Sequence, residues 1–158
     1  MMHNWFECKI KYEKTMENGM NKKVTEPYLV DALSFTEAEA RIIEEMTPYI
    51  SGEFSVSDVS RARYSEVFFA QDDIKASYWY KAKLGFITLD EKTGSEKKTF
   101  TNVLVQAEDF RDAVRRLDDG MKGTMTDYII ASVAETPIVD VYPYEATADT
   151  AVEFPERM

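Results

Sequence analysis

Along residues 4–14 apolar and polar positions alternate, with Phe6, Cys8, Ile10 and Tyr12 on one side and Trp5, Glu7, Lys9 and Lys11 on the other. A period of two is that of a half-buried β-strand. Residues 78–86 repeat it: Tyr78, Tyr80, Ala82, Leu84 and Phe86 face inward, while Trp79, Lys81 and Lys83 face out. A Gly-containing turn, ENG or KTG, then returns the chain into a second strand ending near Val30 or Val105. Each stretch predicts a β-hairpin. A helix follows, its start marked by the capping-box patterns Ser34-x-x-Glu37 and Asp109-x-x-Asp112. Phe35, Ala38, Ile42 and Met46 form one apolar stripe, matched by Phe110, Ala113, Leu117 and Met121, and both stripes are expected to fill the core. The β-rich runs at 53–70 and 125–142 are each long enough for one bent strand or two short ones. Pro137 removes a ladder donor, so the last run is an edge strand or is broken there.

These two series are one unit used twice. Shifted by 74 or 75 residues, Trp5-Phe6 falls on Trp79-Tyr80, LVDALSFTEAEARI (29–42) on LVQAEDFRDAVRRL (104–117), and YSEVF (64–68) on IVDVY (138–142). Across positions 17–46 ten of thirty residues are identical, where unrelated sequences would share about two. The expectation is an α+β protein built by tandem duplication of a ββαβ(β) unit, with antiparallel sheet packed on two helices related by a pseudo-two-fold. One domain would span 1–143, as repeats 1–73 and 74–143, and an acidic, loosely ordered tail would occupy 144–158.

Composition narrows the function classes. The chain has 158 residues, 44% apolar, with one Cys and one His. Cys8 and His3 cannot close a tetrahedral zinc site, and no internal disulfide is available. No window approaches the roughly 18 apolar residues of a membrane span, and the opening stretch has no secretory apolar core, which gives a cytoplasmic expectation with no membrane partner. A net charge of −10 argues against a general duplex-DNA binder, which usually carries a basic footprint. The total hides a distribution, however. Eleven of the twelve lysines lie in residues 1–25 and 74–100, which carry net charges of +2 and +3, while the helices, the later runs and the tail are acidic.

Those lysines share the outer strand positions with a tryptophan. Trp5 stands beside Lys9 and Lys11, Trp79 beside Lys81 and Lys83, and Lys22, Lys23, Lys97 and Lys98 lie on the returning strands. Single-strand nucleic-acid binders combine aromatic platforms, on which bases stack, with cations that track phosphates. The expected site therefore has Trp5 and Trp79 stacking bases and the eight lysines contacting phosphates. The alternative is ordinary solvated strand surface, or a Trp packed under a helix or at a subunit interface. A second functional reading is a protein–protein adaptor or inhibitor whose acidic surface meets a basic partner. A homodimer through a hairpin edge is a further possibility.

No catalytic constellation emerges. His3 is the only imidazole, Cys8 lies on the apolar face, and neither GxGxxG nor GxxxxGK[ST] occurs. Paired acids such as Asp72-Asp73, Glu44-Glu45 and Asp118-Asp119 read as solvated surface rather than metal ligands. The expectation is a non-enzymatic protein without cofactor or metal.

Two resemblances bear on this. The runs NWFECKIKYEKTMENG, VTEPYLVDALSFTEAEARIIEEMTPYISGEF and FITLDEKTGSEKK resemble a family of uncharacterised small proteins from Bacteroidetes and their phages. That resemblance implies a cytoplasmic protein with a phage or other mobile element as a source, and transfers no site. In element order alone, ββββα read from the middle of the chain resembles the repeat of PUR-alpha and whirly single-strand binders, with no residue motif shared.

Overall fold

A computed structural model describes residues 3–71 and 74–144. It divides into two compact units, one formed by Met1–Ala62 with Ile138–Met158 and the other by Arg63–Pro137. The first holds β1 (Trp5–Thr15), β2 (Asn21–Asp31), α1 (Phe35–Met46) and β3 (Phe54–Arg61). The second holds β4 (Glu66–Phe68), β5 (Tyr78–Leu89), β6 (Glu96–Ala107), α2 (Phe110–Gly120) and β7 (Asp127–Thr136). The last strand, β8 (Asp140–Tyr142), returns to the first unit.

Each unit is a four-stranded sheet with one helix on it. The strand orders are β3-β1-β2-β8 and β4-β6-β5-β7. The hairpins β1–β2 and β5–β6 turn at Gly19 (φ 83°) and Gly94 (φ 73°), left-handed positions where a side chain would be strained. Both long hairpins carry a register shift against their outer neighbour at equivalent places, Lys9/Ile10 against β3 and Lys83/Leu84 against β7. A bulge repeated at the same position is a backbone signature of the duplication.

Both predicted caps form, with each acid reaching the amide one residue before the cap rather than the cap's own. The Ser34 hydroxyl accepts from the Glu37 N–H at 3.1 Å while Glu37 accepts from the Leu33 N–H at 2.6 Å; Asp109 and Asp112 do the same with the Asp112 and Glu108 amides. Asp in place of Glu thus serves equally well. In the first unit Ala38, Ile42 and Met46 pack on Phe6, Cys8, Ile10, Tyr28 and Val30. In the second, Ala113 packs with Tyr80 and Val105, and Leu117 with Ala82, Leu84 and Val103.

Three side-chain placements are corrected. Phe35 and Phe110, placed in the core stripes, are half-exposed because each is the first helical residue, at the rim of its sheet; Phe35 meets Phe6 edge-on. Tyr78, expected to face in, is also half-exposed at the start of β5. Met121 is the C-cap of α2 and only partly buried. The expected α+β class with antiparallel-rich sheets is observed, and only the short edge strands pair in parallel, β4 with β6 and β8 with β2. The run after each helix is broken in two, the second at Pro137, and its two strands join different sheets. Val67 registers with Leu104 and Val141 with Leu29, so YSEVF and IVDVY are a reciprocal pair, each completing the sheet of the other repeat's hairpin. Apart from Tyr144, the predicted acidic tail lies outside the described residues.

Candidate nucleic-acid interface

Strand alternation assigns each candidate residue to a face. The helix-free face of the first unit receives Trp5, Glu7, Lys9, Lys11 and Glu13 from β1 and Lys23, Thr25, Pro27 and Leu29 from β2. That of the second receives Trp79, Lys81, Lys83, Gly85 and Ile87 from β5 and Lys98, Phe100, Asn102 and Leu104 from β6. All eight candidate lysines are exposed. They do not form two continuous tracks, because consecutive strand residues point to opposite faces. Lys23 and Lys98 share the face of the other candidates; Lys22 and Lys97 stand on the helix side, Lys22 in register with Lys14.

The tryptophans are corrected outright. Trp5 is 4% exposed and Trp79 1% exposed, so neither ring offers a surface to a base. His3 stacks on Trp5 with centroids 5.1 Å apart, and Phe69 meets Trp79 edge-on at 5.5 Å. The physical reason lies in the partner strands. Tyr28-Leu29-Val30 and Val103-Leu104-Val105 are unbroken apolar runs, all buried, which means burial on both faces of the sheet at the strand ends where the tryptophans stand. That signal was present in the sequence. Only toward the hairpin turns does the helix-free face open to solvent, and there the lysines lie.

The aromatic surface missing from the tryptophans is supplied by Phe100, to which the alternation pattern assigned no part. It is 47% exposed, and the Lys83 ammonium lies 4.8 Å from its ring centroid. Gly85 makes room for it: a Cβ there would stand 2.8 Å from Phe100 Cε1 and 3.1 Å from Ile129 Cγ1. Ile129 is likewise exposed on this face. Lys81 has Leu104 and Ala134 as cross-strand neighbours and Lys83 has Asn102 and Ser132, so no carboxylate stands opposite either. In the first unit Lys9 stands opposite Asp58, and the places of Gly85 and Phe100 are taken by Lys11 and Thr25.

Other candidate chemistry is structural. Cys8 is fully buried, and burial, followed by the nearby charges of Glu7, Asp58 and Glu39, pushes its thiol up to about 12, far from a reactive thiolate. His3 bonds through Nδ1 to the buried carboxylate of Asp31, which also accepts from the Asn4 N–H at 2.9 Å. Among the described residues no group of three or more His, Cys, Asp or Glu side chains is placed to hold a metal ion. Also among the described residues, no helix is long and apolar enough to cross a membrane.

One family model matches residues 4–144 of the chain, and its description reads Domain of unknown function (DUF4494). No curated protein matches the chain.

Proposed function

The chain belongs to the DUF4494 family, and we propose that it is a non-enzymatic cytoplasmic protein that binds single-stranded nucleic acid on the helix-free face of its second unit. A strand would lie across β5 and β6 with one base on Phe100 and phosphates at Lys81, Lys83 and Lys98. The observation that carries this reading is the half-exposed Phe100 ring beside three exposed lysines, none with an acid as its cross-strand partner. Base–aromatic stacking contributes about 1–3 kcal/mol per base, and single-strand binders obtain the rest from cations along the backbone. On binding, the Lys83 ammonium would exchange its place on the ring for a phosphate. The helix-free face of the first unit has cations but, among the described residues, no exposed aromatic, and is the weaker candidate of the two.

The test is fluorescence anisotropy of a labelled oligo-dT. Affinity should fall with salt at a logarithmic slope of about −2, as three phosphate contacts to a single strand require. Phe100→Ala should weaken binding about tenfold or more, while intrinsic Trp fluorescence stays unquenched because both indoles are covered. Absence of binding at about 50 mM salt, where phosphate contacts are favoured, would overturn the reading and leave the acidic adaptor or inhibitor as the better account.

A further inference from the structure

A second site, independent of the lysine face, lies on the helix side of the first unit. Between the C-terminal end of α1 and the edge strand β8 is a cavity of about 320 Å³ lined by Tyr28, Met46, Tyr49, Val139, Asp140 and Tyr142. We propose that this cavity binds a methylated ammonium group.

Three tyrosines, one thioether and a carboxylate are the side chains such a group selects. Ring faces attract a cation through their quadrupole, and the attraction grows when the cation is too weakly hydrated to prefer water, as a quaternary ammonium is. Tyr28 and Tyr142 form one wall, their rings 6.2 Å apart and 23° from parallel. Tyr49, 78% exposed, stands at the mouth. Its place is fixed by the turn that ends the helix, in which the Tyr49 and Ile50 amides both donate to the Met46 carbonyl at 3.0 Å. Burial pushes the hydroxyls of Tyr28 and Tyr142 well up, so both rings stay neutral and keep their π faces at physiological pH.

The cavity is also negative. Asp140 lines it and spends one oxygen on the neighbouring Val141 N–H at 2.8 Å; among the described residues no Lys or Arg pairs with it. Glu45 lies close enough for its charge to act on the Tyr142 hydroxyl. Glu26 accepts from the Tyr28 hydroxyl at 3.2 Å and is held by Tyr12 and Lys14, so it orients the ring while its own charge is partly spent.

The duplication supplies an internal control. The positions equivalent to Tyr28, Tyr49 and Glu45 are Val103, Thr124 and Gly120, while Tyr142 and Asp140 correspond to Phe68 and Glu66. In the second unit Phe68 packs over Gly120, and the space beside it is lined by Arg115, Arg116 and Asp119, with no tyrosine. The aromatic set is therefore not demanded by the shared fold. Of the two equivalent spaces, only that of the first unit is lined by three tyrosines.

The experiment titrates the full chain with tetramethylammonium, a trimethyllysine peptide and the same peptide unmodified, read by NMR shifts of the tyrosine and Met46 signals. Saturable binding of the two methylated probes, at least about fivefold tighter for the trimethyllysine peptide than for its unmodified form, is expected. Tetramethylammonium binding as tight as that of the modified peptide would point to a small choline-like ligand; tighter peptide binding would point to a protein tail. Tyr49→Ala, an exposed position that should not disturb folding, should weaken binding about tenfold, and Asp140→Asn should weaken it by a smaller factor. Thr124→Ala should do nothing. No saturable binding, equal affinity for the unmodified peptide, or an unchanged Tyr49→Ala variant would overturn the proposal. Competition by oligo-dT tests separability: loss of oligonucleotide binding in Phe100→Ala must leave the ammonium response intact.

Discussion

The two units share a backbone plan, down to the position of a bulge, yet present different chemistry on the faces that plan leaves open. What duplication has kept is the interior: Leu29 and Leu104, Val30 and Val105, Ala32 and Ala107, Ala38 and Ala113 are identical and buried pairs. What has diverged includes exposed positions on the helix-free face and the lining beside the helix. Lys11 and Thr25 became, or derive from, the counterparts of Gly85 and Phe100, and Tyr28 and Tyr49 stand opposite Val103 and Thr124. Identity at these buried positions marks folding constraints, and divergence at the exposed ones gives the two faces different chemistry.

The largest effect should come from breaking what the halves share. Ile42→Ala and Leu117→Ala each empty a fully buried site on an equivalent helix face and should cost about 2–5 kcal/mol. Urea denaturation should give similar losses for the two; a difference above about 2 kcal/mol would mean that one interior tolerates collapse and the other does not.

Next is a substitution that separates them. Gly85→Ala puts a methyl group against the Phe100 ring and Ile129, and crowding of this kind costs about 1–3 kcal/mol. Because Phe100 is half-exposed its ring can yield, so the loss should fall at the low end, with oligo-dT affinity falling as the platform is displaced. Unchanged affinity would remove Phe100 from the site.

A smaller cost attaches to the caps. Ser34→Ala and Asp109→Ala should each lower stability by about 1 kcal/mol, measured by thermal melts.

Smallest is a difference in acid. Although burial pulls the Asp112 carboxyl up, the Glu108 amide and the Arg116 and Arg115 guanidiniums hold it below the usual range. A carboxyl that titrates lower when folded stabilises fully above the unfolded value, about 3.9, and that contribution is lost as pH falls through the lowered folded value. Asp112→Asn should therefore flatten the decline of stability below about pH 4. An unaltered acid profile would assign Asp112 a capping role alone.

Much of the fold was legible because its signals are local. Period-two alternation and a left-handed glycine define each hairpin, and a cap with a following apolar stripe defines each helix. The strand exchange was not legible, since β4 and β8 are three residues long and nothing within three residues states which hairpin they pair with. For the candidate site, alternation put the lysines on the correct side of β1 and β5. It failed for Trp5 and Trp79 because a strand's face was judged from that strand alone, whereas Leu29 and Leu104 on the partner strands decide that the face is apolar at that end. Phe100 has no periodic partner as a single aromatic in the polar run EKKTFTN, and only the register to Gly85 shows its ring lying where a side chain at that position would stand.

The most direct measurement compares charge reversal in the two hairpins. Lys81→Glu/Lys83→Glu and Lys9→Glu/Lys11→Glu change the net charge equally at exposed positions on the helix-free faces of β5 and β1. Titrated with labelled oligo-dT at about 50 mM salt, a condition that favours phosphate contacts, the first pair should abolish binding while the second lowers it only as far as added negative charge on the whole molecule does. Equal losses from the two pairs, or a greater loss from the Lys9 and Lys11 pair, would contradict the assignment of the interface to the second unit.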